Sequence, residues 1–252
     1  MLVLACGYMA QLRLNKYLAL KGYASRRGAD KLIEDGHVTV NGKPAETGMQ
    51  VDAEIDNIVV SGGKRELNIQ NETLVYIALN KPVDYITSTT SEQGQSVMEL
   101  LTEEKQIGKK KIPLKARVFP VGRLDKDSEG LVLLTNDGEL ANQLTHPRYE
   151  HEKEYEVTID KQLSPASRKV LTKGMRLDDE VVGGIEIINE WNQGRRTIVT
   201  VILKEGKNRQ IRRMFGALGY HVISLKRTRI SELMLGILPP GRWKYVKKNH
   251  II

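Results

Sequence analysis

The sequence predicts an α+β protein in which a small helical module precedes a larger domain with a mostly antiparallel sheet. A helix, helix, hairpin pattern occupies the first sixty residues, and strand-like runs dominate after residue 73. Between them, "SGGKRELNIQNE" is polar, contains glycine and has no sustained apolar period. We therefore predict a module at 9–60, a linker at 61–72 and a second domain at 73–252.

The N-terminal pattern reads as two helices followed by a β-hairpin. Apolar residues recur at helical spacing from Leu14, and Gly22 can end that helix. Ser25 can cap a second helix that runs to about Glu34. A strand "HVTV" then meets the dipeptide Asn41-Gly42, which favours a type I′ turn because both central residues need positive φ.

The second helix is basic. Arg27 and Lys31 lie four residues apart on one face, beside Arg26. A solvated basic face would explain these three residues without any ligand. The whole segment, across roughly residues 12–60, resembles the small RNA-binding module named after ribosomal protein S-four. That resemblance implies that the helix pair, with Arg26, Arg27 and Lys31, binds RNA backbone.

The larger domain is predicted from its strand-like runs, with fewer helical patterns between them. The clearest helices are "GELANQLTH" and "KNRQIRRMFGALG". The strand-like runs are "VYIALNKP" (75–82), "VFPVGRL" (118–124), "LVLLT" (131–135), "KEYEVTI" (153–159), "TIVTVIL" (197–203) and "HVISLKRTRI" (221–230).

The second of those helices has two distinct faces. Its apolar face, at spacing i, i+3, i+4 and i+7, consists of Ile211, Met214, Phe215 and Leu218. Its opposite face presents Arg209, Arg212 and Arg213. Three guanidinium groups on one face repel one another, so we expect an anion beside them: phosphate, a protein carboxylate or both.

Composition narrows the class of partner. The net charge of +8 favours a polyanion, and nucleic acid is a commoner partner than membrane for a chain with no long basic amphipathic tract. Cys6 is the only cysteine, so a disulfide, a cysteine-rich zinc site and a CxxC pair are excluded, and a cytoplasmic location fits. The apolar start is too short to span a membrane. We interpret residues 1–8 as a leader or as the result of an upstream start before Met9.

The stretch "GRLDKDSEGLVLLTNDG" places Asp125, Asp127 and Glu129 on alternate positions before Gly130, as a calcium loop would. Its twelfth position is Asn136 where such a loop needs a bidentate Glu. The flanks are β-branched and apolar like strands. We therefore expect no metal site here.

Two long segments resemble one enzyme family. "VFPVGRLDKDSEGLVLLTNDGELANQLTHPRYEHEKEYEVTID" and "LKEGKNRQIRRMFGALGYHVISLKRTRI" are similar to the signature segments of the bacterial ribosomal RNA pseudouridine synthases of the RsuA/RluB/RluF family. With the N-terminal module, the resemblance covers residues 12–245. It implies isomerisation of a uridine to pseudouridine, without a cofactor.

The resemblance also implies roles for individual residues. Asp125 matches the catalytic aspartate, which acts as nucleophile or as base. Arg212 matches the position expected to pair with that aspartate, and Tyr155 matches a tyrosine that stacks on the target base. Arg123 would enter the RNA stem when the base is extruded, although a salt bridge to Asp127 or Glu129 is the alternative. The remaining positions are the pocket walls Leu124 and Ile211 and the RNA-binding residues Lys207, Arg209 and Arg213.

Three functional classes follow from these observations. The first is a site-specific synthase acting on ribosomal RNA or on an assembly intermediate, with 23S favoured and 16S as the alternative. The second is a non-catalytic RNA-binding assembly factor, which has no need of a buried acid paired with arginine. The third, a metal-dependent RNA hydrolase, is disfavoured because no histidine lies near the acids. We expect a monomer without an obligate protein partner.

Overall fold

The computed structural model describes residues 11–52, 55–61 and 73–252. The leader at 1–8, the predicted start at Met9 and most of the predicted linker lie outside the described residues. The chain divides into two compact units, with the boundary between Thr73 and Leu74. Neither unit contains, within its described residues, a helix long and apolar enough to cross a membrane.

The N-terminal unit forms the predicted helix pair and hairpin. Ser25 accepts a hydrogen bond from the Gly28 backbone and caps the second helix. Asn41 and Gly42 have φ values of 53° and 78°, as a type I′ turn requires. Its elements are β1 (Leu12–Arg13), α1 (Leu14–Leu20), α2 (Arg26–Glu34), β2 (Val38–Val40), β3 (Lys43–Pro44), β4 (Gln50–Val51) and β5 (Ile58–Val60).

The two helices of this unit bury one face and leave the other exposed. Ala29 and Ile33 of α2 pack in a core with Leu14 and Leu18 of α1. The opposite side of α2 is basic. Its exposed residues include Arg26, Arg27 and Lys31.

The C-terminal unit alternates strands with three α-helices in its described residues. Its first half contains β6 (Tyr76–Lys81), β7 (Phe119–Val121), β8 (Glu129–Thr135), α3 (Gly138–Thr145), β9 (Lys153–Ile159) and α4 (Pro165–Lys173). Its second half contains β10 (Met175–Leu177), β11 (Glu180–Val182), β12 (Glu186–Gln193), β13 (Arg196–Leu203), α5 (Gln210–Ala217), β14 (Val222–Ile230), β15 (Leu233–Met234) and β16 (Trp243–Tyr245).

A nine-stranded sheet organises this unit, in the order β12, β13, β9, β14, β8, β6, β16, with β7 on β8 and β15 on β14. Its pairs are antiparallel except β14 with β8. The predicted α+β class with a mostly antiparallel sheet is therefore confirmed. The parallel pair needs a close approach at Gly130, where an added Cβ would lie 2.3 Å from the Arg227 carbonyl oxygen.

One predicted strand ends earlier than expected, and the difference creates the functional loop. The run 118–124 was expected to be a strand throughout, but β7 stops at Val121. Gly122 has a φ of 72°, which turns the chain out of the sheet. Residues 122–128 therefore form a loop between two paired strands. This loop contains Asp125.

Candidate active site

Hydrogen bonds to successive backbone carbonyls hold the loop at 122–128 in place. The Arg123 carbonyl accepts a hydrogen bond from Arg227 Nη1 at 3.3 Å. At Leu124 the Thr87 hydroxyl accepts from the backbone N–H at 3.1 Å and donates to the carbonyl at 2.8 Å. Bonds from β14 and from the segment after β6 thus hold the residues just before Asp125.

The next three carbonyls are also hydrogen bonded. Ser128 N–H donates to the Asp125 carbonyl at 3.1 Å, and Asp84 N–H donates to the Lys126 carbonyl at 2.8 Å. Arg212 Nη2 donates to the Asp127 carbonyl at 2.7 Å. Five consecutive backbone acceptors are therefore satisfied, which fixes the direction of the Asp125 side chain.

The Asp125 carboxylate opens to a cleft and meets one arginine. Its side chain is 28% exposed, and Oδ2 lies 3.4 Å from Arg209 Nη1. The same arginine holds Asp127 through two hydrogen bonds of 2.9 and 2.8 Å. These bonds are the main reason why the pKa of Asp127 lies below its usual value. One guanidinium therefore bridges the two acids of the loop.

Arg209 reaches both acids because of an unusual backbone conformation. It is the N-terminal cap of α5, with φ 47° and ψ 31° in the left-handed region. This conformation costs a non-glycine residue about 1 kcal/mol or more. Helix α5 consequently begins at Gln210 rather than at the start of the basic run.

The sequence-based pairing of Arg212 with Asp125 is not the one observed. Arg212 Nε lies 3.3 Å from Asp127 Oδ2, and Nη1 donates to the Val222 carbonyl at 3.1 Å. With Nη2 on the Asp127 carbonyl, this guanidinium is fixed beside Asp127. Arg209 forms the ion pair with Asp125 instead. Asp125 is too far from Arg212 for a salt bridge, and it affects the pKa of Arg212 only through its charge.

Two further basic residues of this region contact carboxylates rather than open solvent. Arg213 contacts Asp178 at 3.1 Å and Glu180 at 3.2 Å. Lys207 lies 3.3 Å from Glu180 Oε1. The three arginines thus contact protein carboxylates, as two of the alternatives left open by the sequence require. Contact of Lys207, Arg209 or Arg213 with RNA stays a prediction.

A cleft of about 1230 Å³ lies in front of the Asp125 loop. It exceeds the roughly 300–1,000 Å³ that is usual for small ligands, so it has room for part of a polymer. Arg123 is exposed and has no carboxylate within ion-pairing distance in the described part of the chain, which disfavours its predicted salt-bridge alternative. The predicted site residues that line this cleft are Arg123, Leu124, Asp125, Tyr155, Lys207, Arg209 and Ile211.

Tyr155, Leu124 and Ile211 form apolar parts of the cleft. Each is less than one-tenth exposed. Tyr155 comes from the alternating strand β9 and Ile211 from the first turn of α5. These three side chains therefore give the cleft an apolar surface beside Asp125. No cluster of three or more metal-ligating side chains is found among the residues that the structure describes.

Two basic residues at the site were not singled out from the sequence. Lys81 is fully buried at the end of β6, and burial lowers its pKa to about 8. Arg227 is only 2% exposed and lines the cleft. The alternating pattern of "VISLKRTRI" gave a signal for Arg227, because it places this arginine on the same face of β14 as Leu225.

Comparison with known proteins agrees with this geometry. A family model described as RNA pseudouridylate synthase matches residues 75–217, and an S4 domain model matches residues 12–54. An uncharacterized RNA pseudouridine synthase of Aquifex aeolicus is 37% identical over 245 residues, covering 96% of this chain and 93% of that protein. The dual-specificity RNA pseudouridine synthase RluF of Escherichia coli K12 is 37% identical over 243 residues, covering 96% and 78%.

A solved structure described as a pseudouridylate synthase has a TM-score of 0.64 and 27% sequence identity to this chain. It covers 95% of this chain, and 98% of its own length is covered. The family resemblance recognised in the sequence is confirmed by these matches. The chain belongs to the RNA pseudouridylate synthase family and has an S4 domain at its N-terminus.

Proposed function

We propose that this enzyme isomerises a specific uridine of ribosomal RNA to pseudouridine, with 23S rRNA as the favoured substrate and Asp125 as the catalytic group. The observation that supports the proposal is the fixed Asp125 carboxylate, which opens to a cleft and lies 3.4 Å from Arg209. Arg209 places a positive charge next to the acid. An ionised carboxylate can act on the ribose as nucleophile or as base.

The target uridine must leave its stem before its sugar bond can be reached. The size and openness of the cleft suit an extruded nucleotide with its neighbouring backbone. Tyr155 would stack on the base from the wall of the cleft. Arg123, exposed at the rim and without a carboxylate partner among the described residues, would fill the gap left in the stem.

The N-terminal unit would supply affinity for RNA without taking part in the chemical step. Arg26, Arg27 and Lys31 are exposed on one helix whose other face is buried in its own core. Lysine and arginine contacts with phosphate give affinity without reading sequence. The choice of target would therefore depend on RNA shape and on the extruded base.

Mapping of pseudouridines in total RNA tests this proposal. RNA from cells with and without the gene is treated with carbodiimide, and the resistant adducts are located. We expect one or a few positions in 23S rRNA to lose the adduct, and the purified protein to restore them. All RNA classes should be mapped because relatives carry the name dual-specificity. A set of adducts unchanged by the gene, with no conversion by purified protein, would contradict the proposal and favour a non-catalytic RNA-binding role.

A further inference from the structure

Several polar atoms that line the cleft are buried without a partner. In the described residues, five side chains have such an atom. Three of the five belong to the cleft lining, namely Ser128 Oγ, His151 Nε2 and Arg227 Nη2. A buried polar atom without a hydrogen bond costs free energy. When such an atom belongs to a residue that lines a cleft, a ligand atom can supply the missing hydrogen bond.

Arg227 has the most defined geometry of the three. Its Nε donates to the Leu131 carbonyl at 2.8 Å and its Nη1 donates to the Arg123 carbonyl at 3.3 Å. Two backbone bonds therefore fix the plane of the guanidinium, and Nη2 is the donor that remains. The side chain is only 2% exposed, so this donor lies in the depth of the cleft rather than at its rim.

A second cation lies next to Arg227. Lys153 and Tyr155 are two residues apart on β9 and so face the same side of the sheet. Arg227 is the Cα partner of Tyr155 on β14, which makes the three side chains neighbours on the cleft wall. Burial, and then the charge of Arg227, lower the pKa of Lys153. No carboxylate of the described residues pairs with either cation.

We propose that Arg227 Nη2 and Lys153 Nζ form a base-recognition site that binds a carbonyl oxygen of the target uracil and stabilises the negative charge of the departing ring. This inference rests on the proposed function. A base stacked on Tyr155 would present its edge to the two cations that neighbour this residue. A phosphodiester is hydrated and continues into the RNA backbone on both sides. It therefore fits the open rim of the cleft better than the buried wall at Arg227.

The chemistry of the isomerisation creates the charge that the site would bind. When the C1′–N1 bond breaks, its electron pair stays on N1 and is delocalised over O2 and O4. This leaves C1′ short of an electron pair, and Asp125 responds either by bonding to that carbon or by taking the proton from C2′. After the ring turns, C5 supplies the electron pair of the new bond to C1′, and either the bond between Asp125 and C1′ breaks or the proton returns from Asp125 to C2′. The proton of C5 then passes to N1. No atom or electron is gained or lost.

Substrate oxygens replaced by sulfur test the site directly. Single-turnover conversion is measured at saturating RNA with uridine, 2-thiouridine or 4-thiouridine at the target position. Lys153→Met should slow conversion of uridine by about tenfold to a hundredfold, as loss of a charged hydrogen bond does. The loss should shrink to about threefold or less with one of the two thiouridines, because sulfur is the weaker acceptor and its bond is already lost.

Two further variants complete the design. Arg227→Lys keeps a charge and should show the same dependence on one thiouridine, provided that its folding is verified. If it does not fold, Lys153→Met alone decides the question. Lys204→Met removes an equal charge from an exposed position of the cleft lining and should weaken every substrate alike.

The outcomes that would overturn the site differ from failure of the proposed function. The same fold loss for uridine and both thiouridines would overturn it, as would full activity of Lys153→Met on uridine. A loss that disappears only when a neutral methylphosphonate replaces the linkage next to the target would assign the cations to phosphate instead. If wild-type protein converts no uridine, the proposed function itself has failed.

Discussion

Arg209 Nη1 lies 3.4 Å from Asp125 Oδ2. The same guanidinium is held by both oxygens of Asp127, so Asp127 orients the cation that faces Asp125. The arginine one helical turn further on, Arg212, holds the Asp127 carbonyl and is 13% exposed at its side chain. The surroundings of Asp125 therefore depend on a series of contacts in which Arg209 makes the direct one.

Replacement of Arg209 should affect the chemical step more than RNA affinity. Arg209→Gly is the most informative variant because glycine adopts the left-handed backbone of this position without strain. We expect single-turnover conversion at saturating RNA to fall by about a hundredfold, the order of effect of a lost charged contact at a reacting group. Arg209→Lys should recover part of the rate if charge is the main requirement.

Arg213→Ala is the matched control for Arg209. Arg213 contacts Asp178 and Glu180 and does not line the cleft. Its removal should leave the rate of the chemical step within a few-fold of wild type. If Arg213→Ala abolishes conversion while Arg209→Gly leaves it intact, the assignment of Arg209 is wrong.

Gly130 should tolerate no side chain. An added Cβ would lie 2.3 Å from the Arg227 carbonyl oxygen and 2.6 Å from its nitrogen, at a φ of 108°. We expect Gly130→Ala to lower the free energy of unfolding by about 3 kcal/mol or more, measured by denaturant titration. Gly194→Ala is the control, because its φ is 65° and nothing lies within 4 Å. That variant should lose only about 1 kcal/mol, and equal losses would contradict the close approach.

The buried Lys81 should make stability rise with pH. Burial lowers its pKa from 10.5 to about 8 in the folded protein. Between these values the unfolded chain binds the proton and the folded chain does not, so the free energy of unfolding increases with pH. Relative to Lys81→Met, wild type should gain up to about 3 kcal/mol from pH 8 to 10.5. A difference between the two proteins that stays flat across this range would show that folding does not lower the pKa of Lys81.

The basic face of α2 should contribute salt-dependent affinity and nothing to the chemical step. Arg27→Ala should flatten the dependence of RNA affinity on salt by about one counterion, as loss of one phosphate contact does. Conversion at saturating RNA should stay at the wild-type rate. Lys169→Ala, an exposed lysine of α4, is the control for charge alone. An equal change of slope in both variants would mean that α2 has no special contact with RNA.

Most of the fold could be predicted from local sequence patterns, whereas the contacts between the side chains of the site could not. The Asn41-Gly42 turn, the Ser25 cap and the strand at 153–159 each depend on neighbours in sequence, and each is found as predicted. The partner of Asp125 depends on the left-handed φ of Arg209, a conformation that no spacing rule assigns to an arginine. The family resemblance pointed to Arg212 instead.

Burial of charge was the second feature that the sequence did not reveal. Lys81 stands at the end of a strand run, and the alternation of "VISLKRTRI" gives the face of Arg227 but not the depth of its burial. Both residues are buried because β8 lies between β6 and β14, and this order of strands comes from long-range pairing. The unpartnered Nη2 of Arg227 follows from the same pairing.

Asp125→Asn tests the central claim most directly. The substitution keeps the shape of the side chain and removes the charge that Arg209 faces, while the loop remains held by its carbonyls. Single-turnover conversion of a target RNA at saturating protein should fall by at least about 10³-fold, with the Kd for RNA within a few-fold of wild type. Glu129→Gln, in the same acidic stretch, should convert at nearly the wild-type rate. An Asp125→Asn protein that retains wild-type conversion, or one that fails only because it no longer binds RNA, would contradict the account.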